Sequence, residues 1–88
     1  MQIVWTKHAD DRCQEWQQRL GITREQVEAI LISPEQVVTE HEVLVAQSRY
    51  RNGLLRVVYA EIGRTQRIIT LYWTNQFKRY WKENSHEI

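Results

Sequence analysis

The dipeptide Asn52-Gly53, flanked by the strand-like runs Val43 to Arg51 and Leu54 to Glu61, restricts the fold of this chain more than any other feature. Asn-Gly suits both central positions of a type I′ turn, where φ must be positive, so the pattern predicts a two-residue hairpin. A hairpin of that length sets a register. Arg51 is then expected opposite Leu54, with the pairs Tyr50/Leu55, Ser48/Val57 and Ala46/Tyr59 sharing an apolar face. Arg49 and Arg56 meet on the other face. Like charges placed directly across a sheet repel, and a bound phosphate relieves them. Side chains that splay into water or find a carboxylate elsewhere relieve them equally.

Upstream of the hairpin the pattern changes to helix. After a short first strand at residues 2–5, Thr6 can cap a helix running to about Leu20, and Gly21 can close it. Ala9, Cys13, Trp16 and Leu20 form one narrow apolar stripe on that helix. Thr23 and Gln26 match a capping box for a second helix, with Ile22 and Val27 at staple positions. Its buried face is expected to be Val27, Ile30 and Leu31, and Pro34 ends it by about Ile32. Val37 and Val38 begin a strand that turns near Glu40 to Glu42. Downstream of the hairpin, Gly63 and Arg64 suit another tight turn into a strand from about Gln66 to Trp73. Ile68, Ile69, Leu71 and Tyr72 show little alternation, as in a strand covered on both faces. Asn75 can cap a last helix carrying Phe77, Tyr80 and Trp81, which can dock across the sheet. The expected fold is α+β: two N-terminal helices on an antiparallel four- to five-stranded sheet, with a short C-terminal helix, in one domain spanning 1–88.

Composition narrows the class. No apolar run exceeds four residues, as in Ala29 to Ile32, far short of the roughly 20 that cross a bilayer. Lys7, His8, Asp10, Asp11 and Arg12 interrupt the N-terminus before any signal-like apolar region, so a cytoplasmic protein without a membrane partner is expected. Cys13 is the only cysteine and reads as a buried small hydrophobe. His8, His41 and His86 stand at no metal spacing, so neither a metal nor another cofactor is expected. His41, between two glutamates in a predicted turn, reads as a solvated side chain.

The formal net charge is only +1, but it is unevenly distributed. Residues 1–42 carry four basic and eight acidic side chains, whereas residues 43–82 carry eight basic ones against Glu61 alone. That asymmetry fits a polyanion or an acidic partner, and fits ordinary solvated strand faces as well. Trp73, Phe77, Lys78, Arg79, Tyr80, Trp81 and Lys82 could stack bases and neutralise phosphates, or could pack a helix onto the sheet. His8 and Arg12, one helical turn apart, set a group that titrates near neutral pH beside a fixed cation.

The run His8-x-x-x-Arg12, Gly21-Ile22-Thr23, Val27, Pro34, then Leu55-Arg56-Val57-Val58-Tyr59 and Arg67-Ile68-Ile69-Thr70-Leu71-Tyr72 resembles a small domain family of unknown function. Across nearly the whole chain that family is similar to the BrnT-type toxins and, through them, to the RelE/ParE superfamily. The resemblance implies a toxin-antitoxin context, with RNA and an antitoxin-like protein as partners. RelE-branch toxins cut RNA without metal, and ParE-like members act on DNA gyrase, so the target stays open. For a metal-independent endoribonuclease the resemblance implies His8 as acid or base, Arg12 and Arg49 holding the phosphate, and Thr70 or Tyr72 orienting the substrate. Arg49, Arg56, Lys78 and Arg79 are the matching nucleic-acid-binding types. A non-catalytic protein-interaction module of the same fold, or a gyrase-directed toxin, remains the alternative, and oligomeric state is left open.

Overall fold

A computed structural model describes residues 2–83, so His86 and Glu87 lie outside the described residues. The elements follow in the order β1 (Gln2–Trp5), α1 (Lys7–Leu20), α2 (Arg24–Ile32), β2 (Gln36–Glu40), β3 (Val43–Tyr50), β4 (Gly53–Ile62), β5 (Thr65–Thr74) and α3 (Phe77–Tyr80). The five strands form one sheet in the order β1-β5-β4-β3-β2. β2 to β5 are an antiparallel meander, but β1 pairs parallel with β5, so the sheet is mixed rather than antiparallel.

Local chemistry explains the helix ends. The Thr6 hydroxyl accepts from the Ala9 N–H at 3.1 Å and donates to the Ile68 carbonyl, so one cap residue both starts α1 and fastens it to β5. Gly21, with φ at 72°, closes that helix in the left-handed conformation. Thr23 and Gln26 make the reciprocal capping box of α2, and both staple residues, Ile22 and Val27, are fully buried.

α1 lies over β5 and α2 over β3 and β4, all on one face of the sheet. Ala9 and Cys13 from α1, with Val27 and Leu31 from α2, pack there on Ala46, Leu55, Val57, Tyr59, Ile68 and Leu71. Trp16, Leu20 and Ile30 close the margin of this core. No helix among the described residues is long and apolar enough to cross a membrane.

The central hairpin is displaced from its expected register. Its two-residue loop is Arg51-Asn52, with Tyr50 opposite Gly53, Ser48 opposite Leu55 and Ala46 opposite Val57. Each β3 residue therefore meets a β4 residue two places earlier than expected. An even shift keeps every side chain on its face, so the apolar set survives while the partners change. Arg49 consequently faces Leu54, and Arg56 faces Gln47. Gly53 serves packing rather than turn geometry: a Cβ there would collide with the Thr74 carbonyl and come within 2.8 Å of the Trp73 ring. The paired positive φ angles belong to His41 and Glu42 (50° and 68°), which join β2 to β3.

The weak alternation of β5 has a local cause. Val58 pairs with Thr70 but Tyr59 with Ile68, so Ile69 is the extra residue of a bulge. Ile68 and Leu71 thereby point to the same helix-covered face. The last helix is a single turn, and its N-cap is Gln76 rather than Asn75.

Candidate functional site

The sheet face away from α1 and α2 carries an unusual polar centre. Alternation puts Gln36 of β2, Gln47 of β3, Arg56 of β4 and Tyr72 of β5 on that face in one transverse band, with Glu40 on the same face further along β2. Arg56 and Gln47 are fully buried at 0% exposure, in the middle of otherwise apolar strands. A buried guanidinium is tolerated only when its donors are matched. Here Nε donates to Gln47 Oε1 at 2.7 Å, Nη1 to the Tyr72 hydroxyl and Nη2 to Glu40 Oε2, which also supplies the counter-charge.

The C-terminal segment covers this centre. The Tyr80 ring lies with its centroid 4.1 Å from the Arg56 guanidinium carbon, a cation–π contact that excludes water from the open side. Gln47 Nε2 donates to the Tyr80 carbonyl at 3.0 Å and to Gln36 Oε1 at 2.8 Å. Gln36 in turn donates to the Lys82 carbonyl and accepts from its N–H. Three strand side chains thus hold a segment that has only one helical turn of its own. Burial keeps the Tyr72 hydroxyl above its ordinary pKa, although Arg56 beside it acts in the opposite direction.

Around the covered centre the face is cationic. Arg49 is exposed, pairs with Glu35 and lies 5.3 Å from the Trp81 ring centroid. Trp81 stacks on Phe77 at 5.0 Å. Lys78, Arg79 and Lys82 are exposed along the same segment. Arg67, between the buried Gln66 and Ile68 in β5, alternates onto the open face beside Val4.

The six side chains expected to carry chemistry fall into two groups on opposite faces of the sheet. His8 and Arg12 are exposed on α1, in the helix layer, and Arg12 is bound to Glu15 at 2.6 Å. Arg49, Thr70 and Tyr72 lie on the far face with Arg56. Arg49 and Arg56 are not opposed, and each has its own carboxylate, so the expected repulsion at that pair is absent. Arg56 is fully buried, and each of its guanidinium nitrogens is bonded to a side chain of another strand. Cys13 is buried, and burial raises its thiol pKa. His41 is exposed in its turn.

Sequence reasoning missed Gln47 and Glu40 as partners of Arg56, and Gln36 as the residue that ties Gln47 to the C-terminal segment. A signal was present: Gln47 and Arg56 each interrupt an apolar strand, and the observed register makes them neighbours. These features define a small α+β domain with helices on one sheet face and a latched aromatic segment on the other. The chain belongs to the family described as a domain of unknown function, DUF4258, whose model matches residues 5–73. That stretch contains every strand residue of the Arg56 centre, while Tyr80 and the basic segment around it fall outside it. No curated protein and no solved structure matches the chain.

Proposed function

We propose that this protein is an RNA-binding domain of a toxin-like kind, with the open sheet face and the segment Asn75–Lys82 as its binding surface and an antitoxin-like protein as its partner. The observation that carries this reading is the pairing state of the cations on that face. Arg67, Lys78, Arg79 and Lys82 form no carboxylate pair among the described residues, whereas Arg49 and Arg56 are paired with Glu35 and Glu40. Unneutralised cations beside partly exposed aromatic rings are what sequence-tolerant single-strand binding uses, because phosphates release counterions and bases stack. The Phe77–Trp81 stack supplies the rings.

Binding stands ahead of cleavage. Hydrolysis of RNA without metal needs an acid or base within reach of the phosphate that the cations hold. His8 and Arg12 are on one side of the sheet and Arg49, Thr70 and Tyr72 on the other, so this set does not converge on one phosphate. The second reading, a protein-interaction module, draws on the same free cations, which would equally meet an acidic protein.

Fluorescence anisotropy of a labelled single-stranded RNA, titrated with the protein over a range of salt, distinguishes them. RNA binding should weaken in Lys78→Ala/Arg79→Ala, with the log–log salt slope falling by about 1.4. His8→Ala/Arg12→Ala should bind like the wild type. Absence of RNA binding at low salt would reject the proposal, and capture of an acidic protein under the same conditions would favour the second reading.

A further inference from the structure

β2 is an edge strand: among the described residues no strand pairs with its outer side. Natural edges are normally blunted by Lys, Pro or a bulge, because open backbone groups recruit other strands. β2 reads Gln36-Val37-Val38-Thr39-Glu40, with neither Lys nor Pro, and its register with β3 is regular. Val37, on the helix side of this edge, is 47% exposed, and Ile32 at the end of α2 is 63% exposed. The opposite edge differs, since Trp5 there is held by Glu28 and covered by Arg24.

We propose that β2 is a dimerisation edge whose occupant is the β2 strand of a second copy of this chain, running antiparallel and centred on Val38. The sequence is self-complementary in that register. Val38 meets Val38, Val37 meets the second copy's Thr39, and Gln36 meets its Glu40. No carboxylate faces another carboxylate. Each Glu40 instead arrives beside the neutral amide of a Gln36, while its own carboxylate stays paired with Arg56. Registers centred one residue away pair Glu40 with Gln36 no longer, and leave an unmatched end on each strand.

The symmetry has a consequence for function. A two-fold axis perpendicular to the sheet at Val38 keeps both helix layers on one side and both open faces on the other, because residues paired in a sheet share a face. Two five-stranded sheets become one of ten strands, with two basic C-terminal segments flanking the join. This pairing is independent of what the open face binds. A five-residue edge makes a small interface, so the dimer belongs to the weak, concentration-dependent class.

Sedimentation velocity of the full chain over rising concentration tests it, with circular dichroism confirming that each variant is folded. The wild type should show a monomer–dimer equilibrium. Val37→Lys/Thr39→Lys sets Lys against Lys twice across the axis and should raise the dissociation constant by about tenfold or more. Val37→Lys/Thr39→Glu sets Lys against Glu in the same places and should restore dimerisation. A wild type that stays monomeric at every concentration overturns the proposal. So does a double-lysine variant that dimerises like the wild type, or a Lys/Glu variant no better than the double-lysine one.

Discussion

Arg56 and Gln47 face each other across β3 and β4, and the guanidinium Nε of Arg56 donates to the Gln47 side-chain oxygen at 2.7 Å. From that contact the polar centre spreads toward both edges of the same sheet face: Tyr72 and Glu40 each accept from one of the other two guanidinium nitrogens, while the Gln47 amide reaches Gln36 and Tyr80. The fold thus places a charge in its interior and satisfies it with one side chain from each of three other strands.

Loss of the counter-charge should be costly. Glu40→Gln leaves a fully buried guanidinium without its carboxylate, and breaking such a pair typically destabilises by about 3–5 kcal/mol. Because Glu40 is itself one-third exposed, a loss of about 2–3 kcal/mol is expected in urea unfolding. Arg56→Met combined with Glu40→Gln should recover part of it, since no charge then remains buried.

Gly53→Ala should be destabilising by about 1–3 kcal/mol, the usual range for forcing extra atoms into a packed site. The added methyl meets the Thr74 carbonyl and the Trp73 ring. Trp73 also donates to the Tyr50 carbonyl at 2.9 Å across the same hairpin, so its fluorescence should shift in the folded variant. Unchanged stability and emission would contradict the packing role of this glycine.

Cys13 should be inert in the native protein. It is buried on the core side of α1, and burial raises its thiol pKa, so the reactive thiolate is scarce at neutral pH. Alkylation by iodoacetamide should be at least about a hundredfold slower in buffer than in denaturing urea.

The Glu35–Arg49 contact gives an acid-dependent contribution. The Arg49 backbone N–H, which Glu35 accepts at 2.6 Å, and then the Arg49 guanidinium lower the Glu35 pKa. A carboxylate with a lowered folded pKa contributes stability fully above its unfolded value of about 4.3, and loses it as pH falls through the folded value. Glu35→Gln should therefore reduce the acid-side slope of stability against pH, while leaving the slope near neutral pH unchanged.

Legibility from sequence followed the range of the physics involved. Both helix starts, the Gly21 stop and the Gly63-Arg64 turn depend on neighbouring residues alone, and each is found where local chemistry puts it. Asn52-Gly53 was misleading because Gly53 answers to a distant constraint, the approach of Thr74 and Trp73 on β5. Face assignments survived the resulting shift only because it was even. The Arg56 centre draws on β2, β3, β4, β5 and the C-terminal segment, so no short window contains it. The parallel pairing of β1 with β5 is equally non-local.

The most direct test of the central claim is an amide chemical-shift map of the protein titrated with a short single-stranded RNA. Binding by the open face predicts the largest changes at Arg67 and along Phe77 to Lys82, with His8 and Arg12 unmoved. Changes centred on His8 and Arg12, with the C-terminal segment silent, would contradict it.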